Sequence, residues 1–151
     1  MAAVMDIDRG WKRIRAQLLK AGGAFTKVGV QEGEQRDDGT DLVTVAAANE
    51  FGAPKAKIPE RSFIRSTTDE QREEVERVKR RILEKLVDGT SDIKTELAKL
   101  GSWMKAQIQK KIVDLKLPIN AESTKKKKGS DNPLVDKGQL QQSIRHVEVV
   151  P

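Results

Sequence analysis

From Ile93 through Leu97, Leu100, Met104, Ile108 and Ile112, an apolar residue recurs every three or four positions. That spacing lines one face of a helix of about six turns, which needs a partner surface of similar length to bury it. A second stripe, Val75, Val78, Ile82 and Leu86, lies just upstream and ends before Gly89. Two amphipathic helices joined by so short a turn pack most simply as an antiparallel hairpin. The first is expected to start at Thr67, which stands at capping-box spacing from Glu70, and to end near residue 89. Thr90 or Ser91 is expected to cap the second, which runs to about residue 115, ahead of Pro118.

Shorter elements surround this hairpin. Ile7, Trp11, Ile14 and Leu18 share a helical face, so a helix is expected over residues 6–21, stopped by Gly22 and Gly23. Residues 24–30 read as a strand and residues 31–41, with Gly33 and Gly39, as a loop or hairpin connection. Residues 42–51 are Ala-rich and read as a short packed helix ending at Gly52. Pro54 and Pro59 bracket an extended loop, and residues 61–65 fit either a strand or the lead into a helix. Residues 116–138 lose periodicity and form a long exposed loop, of the kind usually tied to function or to a partner. Residues 139–142 fit a helical turn and residues 143–150 alternate like a strand. The expected fold is a single α+β domain over residues 1–151: a small mixed or antiparallel sheet packed with an N-terminal helix and the long helix hairpin. Residues 62–65 are a candidate third strand.

Composition narrows the chemistry. The 151 residues contain no Cys and one His, His146, which excludes thiol catalysis, Cys-based zinc sites and multi-His metal sites. No apolar run approaches the ~20 residues that span a bilayer, and residues 1–10 lack the apolar core of a secretory signal. A soluble, cytoplasm-made protein is expected. There is no phosphate-binding glycine loop, and Asp92-Ile93-Lys94 supplies only a fragment of a nuclease pattern. No cofactor, metal or catalytic residue is assigned, and His146 is expected to pack or to sit on a strand edge. Trp11 and Trp103 lie on or beside apolar faces and are expected in the core.

Charge points outward instead. With 34% charged residues and a net charge of +6, the chain has much polar surface for its core. The run Lys125-Lys126-Lys127-Lys128, the basic first helix, and Lys105, Lys110, Lys111 and Lys116 are candidates for phosphate contact. Only 3% of residues are aromatic, which argues against the stacking platforms of single-strand binders. A basic nucleic-acid-binding accessory protein is therefore the alternative reading.

Four segments carry a more specific signal. They are Val28-Gly29-Val30, then Asn49-Glu50-Phe51-Gly52, then Ile58-Pro59-Glu60-Arg61-Ser62-Phe63-Ile64-Arg65, and finally Pro133-Leu134-Val135-Asp136-Lys137-Gly138-Gln139-Leu140 followed by Ser143-Ile144. In this order they resemble the virion-morphogenesis family of tailed bacteriophages, the small tail-completion or neck proteins at the head-tail junction. Glu60, Ser62 and Lys137 depart from the commonest residues of that pattern. The resemblance implies a structural virion protein without catalysis, assembled in the bacterial cytoplasm into a ring, hexameric by analogy. Its partners would be portal-proximal connector proteins and the tail terminator or tube, with non-specific contact to packaged DNA and none to membrane. The residues expected at the interfaces are Glu50, Phe51, Gly52, Pro59, Arg61, Phe63, Arg65, Lys125, Lys126, Lys127, Lys128, Leu134, Asp136, Gly138 and Leu140.

Overall fold

The structure, a computed structural model, describes residues 8, 10–119, 134 and 138–151. Among the described residues, six helices and a two-stranded antiparallel sheet form an α+β fold, in the order α1 (Trp11–Ala21), β1 (Phe25–Val30), α2 (Leu42–Phe51), a 3-10 turn (Pro54–Ala56), α3 (Ile64–Glu70), α4 (Arg72–Asp88), α5 (Ile93–Asp114), α6 (Gln139–Gln142) and β2 (Ile144–Val149).

Helix α5 is the spine. Its apolar stripe meets two clusters: Ile82 and Leu86 of α4 close on Ile93 and Leu97, while Phe63, Ala46, Leu134, Leu140 and Ile144 close on Ile108 and Ile112. The α4–α5 hairpin is antiparallel, since Lys85 reaches Glu96 and Val78 shares a cleft with Leu100 and Trp103. On the opposite side α5 covers the inner face of the sheet, where Val28 stands across from His146 and Val30 from Ile144. Gly101 makes the close approach possible. A Cβ there would lie 2.6 Å from the Thr26 hydroxyl and 2.9 Å from the His146 ring.

Several starts and caps differ from expectation, each because a distant or competing donor set intervenes. Helix α3 begins at Ile64 and absorbs residues 64–65, so the sheet has no strand at 62–65 among the described residues. Thr67 therefore lies inside α3, its hydroxyl donating to the Phe63 carbonyl at 2.6 Å instead of capping a new helix. Gln71 interrupts the helix before α4. Helix α5 is capped by Asp92, whose carboxylate accepts from the Thr95 N–H at 3.0 Å. Ser91 is diverted, since its hydroxyl donates to Glu96 at 2.7 Å. Trp11 is 64% exposed and outside the core, whereas Trp103 is partly buried against α4. Of the first expected helix, residues 11–21 are helical, and Ile7 lies outside the described residues.

Among the described residues no helix is long and apolar enough to cross a membrane.

Candidate functional site

The second and third motif segments meet at a charged joint between α2 and α3. Helix α2 starts at Asp41, whose side chain accepts from the Thr44 N–H, and ends at Gly52, with φ 75°. Glu50 projects from its last turn into the protein and is only 4% exposed. Helix α3 offers there the unpaired N–H groups that every helix start leaves over. The Glu50 carboxylate takes them: Oε2 accepts from Phe63 N–H at 2.8 Å and Ile64 N–H at 2.9 Å, and Oε1 from Arg65 N–H at 2.9 Å. The Ser62 hydroxyl donates to Oε1 at 2.8 Å and Arg65 Nε at 3.1 Å. Burial pushes this carboxyl upward, but the N–H groups of Ile64 and Arg65, the Ser62 hydroxyl and the Phe63 N–H overcome it and hold the pKa below the ordinary value. Glu50 is thus a charged cap delivered from another helix.

Two arginines flank it in opposite senses. Arg65 is half exposed, ion-paired with Glu60 at 2.6 Å, and stacked over the exposed Phe51 ring at 4.9 Å. Arg61 is 5% exposed. It donates from Nε to the Pro118 carbonyl at 2.9 Å and from Nη2 to the Ile119 carbonyl at 3.2 Å, while Nη1 reaches Asn49 Oδ1 at 3.3 Å. Its own N–H donates to the Asn49 carbonyl at 2.7 Å. Arg61 therefore ties the end of α2 to the beginning of the 116–138 segment.

The joint adjoins the core cluster that gathers the remaining motifs. Phe63 is fully buried beside Leu134, Leu140 and Ile144, with Val28 and Val30 packed against the same cluster. Gly138 caps α6 with φ 76°. Of the residues expected at interfaces, Glu50, Arg61, Phe63, Leu134 and Leu140 are turned into the protein interior, because each has an apolar or hydrogen-bonding partner there. Phe51, Pro59 and Arg65 remain at the surface, while Gly52 and Gly138 are partly buried turn residues. Lys125, Lys126, Lys127, Lys128 and Asp136 lie outside the described residues.

Asn49, Ser62 and the Pro118-Ile119 carbonyls complete the joint without having been singled out as site residues. Two arginines after a Glu, each preceding a Ser, were the available signal, and it does not separate Ser62 from Ser66. Nothing local announces the carbonyls.

The arrangement locks the end of α2 to the start of α3 and to the segment after α5. Glu50 is saturated with donors and stays ionised near neutrality, so it has no proton to exchange. His146 sits on the inner face of the sheet with Nε2 3.4 Å from Glu148, away from the joint. An apolar groove of about 560 Å³ between α4, α5 and β1, lined in part by Phe25, Ile82, Leu83 and Leu100, has few converging polar groups. Among the described residues no three His, Asp or Glu side chains gather to hold a metal ion. Fold and site together define a small α+β domain with an interlocked charged joint. Comparison with family models, with curated proteins and with solved structures finds no match.

Proposed function

We propose that this chain is a structural subunit of a tailed-phage virion, a neck or tail-completion protein that joins the head to the tail as a ring of copies. The resemblance of four ordered motifs supports this reading, and one observation carries it. Residues of all four, spread from Val28 to Ile144, converge on one core and its adjoining joint. A pattern whose members support one another in space is harder to attribute to chance than four separate short matches. The role is mechanical: the joint holds Phe51 and Arg65 at the surface in a fixed geometry, and rigid aromatic and arginine side chains are efficient anchors for partners.

The test is light scattering on the full-length protein across concentration, alone and with candidate neck and tail proteins. A closed ring, alone or with a partner, is expected; a monomer that ignores those proteins would overturn the reading. Deleting residues 124–130 is expected to impair assembly while leaving circular dichroism unchanged.

The second reading, a basic accessory protein for nucleic acid, is favoured by helix α1, which carries four cations and no acid. It predicts duplex affinity that falls steeply with salt. The lysines of α5 add less, because Lys110 is paired with Asp114 and Lys111 with Glu70.

A further inference from the structure

Opposite charges sit at opposite ends of β1. Before the strand, α1 carries Lys12, Arg13, Arg15 and Lys20 without a carboxylate, and after it residues 31–41 carry Glu32, Glu34, Asp37, Asp38 and Asp41 against Arg36 alone. Gly22 and Gly23 turn the end of α1 into the start of β1, so the two groups are joined through a strand of six residues, about 20 Å long.

Helix α1 is also poorly covered. It has no buried side chain and leaves Trp11 64% and Leu19 68% exposed. An isolated helix of 11 residues is marginal in water. None of its four cations is ion-paired among the described residues. The acidic segment, by contrast, is held in shape. Asp38 accepts from the Thr40 N–H at 3.0 Å, Asp41 from the Thr44 N–H at 2.8 Å, and Glu34 pairs with Arg145 at 3.1 Å. The hydrogen bonds to Asp38 and Asp41 fix the turn without discharging those carboxylates.

We infer that the exposed face of α1 is covered by a second copy of this chain, whose 31–41 segment docks on it head to tail. Charge complementarity selects this occupant. A two-fold contact of either surface with itself would set like charges against like, and a reciprocal two-fold pairing of α1 with residues 31–41, although complementary, would close at a dimer and build no ring. A head-to-tail contact pairs one basic end with one acidic end and leaves the pair with one of each for further neighbours. Such heterologous contacts close into rings when the rotation per subunit permits. The inference rests on the ring reading proposed above and names the surfaces that would build it.

Two charge-reversed full-length proteins test it, one with Lys12→Glu and Arg15→Glu, the other with Glu32→Lys and Glu34→Lys. Each is expected to keep its circular dichroism and to associate at least about tenfold more weakly than the unaltered protein. An equal mixture of the two is expected to recover one contact in two, that of the unaltered α1 of the second variant with the unaltered 31–41 segment of the first, and so to give pairs, because the two altered surfaces carry no net charge. Neutral versions, with Gln at the same four positions, are expected to fall between, which guards against a reversal that merely unfolds the chain. An unaltered protein that assembles while either variant assembles equally well would overturn the inference and leave the ring reading standing. Weakening confined to the α1 variant, or a mixture that stays dissociated, would also overturn it and assign α1 to a different acidic partner or to nucleic acid. An unaltered protein that stays monomeric even with neck and tail proteins would remove both.

Discussion

The guanidinium of Arg61 donates from Nε to the Pro118 carbonyl at 2.9 Å, across 57 positions of the chain. This bond, with its companions to Ile119 and Asn49, fastens the segment after α5 to the end of α2. The buried cation is held by acceptors from two separate parts of the chain.

Replacing Arg61 with Ala is therefore expected to destabilise the fold by roughly 2–3 kcal/mol, since it removes the charge-assisted hydrogen bonds to Pro118, Ile119 and Asn49. Lys at the same position is expected to recover less than half of that, because a point charge cannot serve three acceptors set in a planar fork. Urea unfolding of the two variants checks both values. Equal stability of Lys and Arg proteins would refute the planar-fork argument.

Glu50→Gln removes the charge that caps α3 and turns an amide donor toward backbone donors. A loss of about 2–3 kcal/mol is expected. Hydrogen exchange should locate it, with the Phe63, Ile64 and Arg65 amides losing protection before those of α5 do.

Gly101→Ala should destabilise, although the same change in an exposed helix usually stabilises by about 1 kcal/mol. The new Cβ would meet the Thr26 hydroxyl at 2.6 Å and His146 at 2.9 Å, so those two side chains or α5 itself must shift. The expected loss is about 1–3 kcal/mol by chemical denaturation. A more stable protein would mean that α5 is not seated on the sheet at this point.

Acid should unfold the protein through its buried carboxylates. The Lys99 ammonium, working against burial and helped by Ser91 and Lys85, holds the Glu96 carboxyl down to about 2 from an ordinary 4.5. A folded pKa below the unfolded one gives stability that is fully present above about pH 4.5 and is lost as pH falls toward 2. Glu50 acts in the same direction. Urea midpoints measured down this range should drop, and Glu96→Gln should flatten the drop while lowering stability at neutral pH.

Much of the fold was legible because its signals are local. The stripes at Val75–Leu86 and Ile93–Ile112 mark helices α4 and α5, Gly52 ends α2, and the alternation after Ser143 marks β2. Each depends on spacing along a few turns or on the backbone freedom of one residue. The caps were less legible, since several residues near a helix start compete for the same donors. Ser91 and Asp92 both have the right chemistry, and Ser91 goes to Glu96 only because α5 brings Glu96 within reach.

By itself, then, the amino-acid order determined the places of α1, α2, α5 and the two strands, which faces are apolar, and that cysteine and multi-histidine chemistry are absent, but not the start of α3 or the break at Gln71. Tertiary structure alone decided that Glu50 caps a helix beginning 14 residues after it, that Arg61 is interior while Arg65 is not, and that Trp11 stays outside the core. The division has a physical origin. Helix and strand propensity act within a turn or two, whereas burial and the pairing of a charge depend on which distant backbone groups arrive beside it.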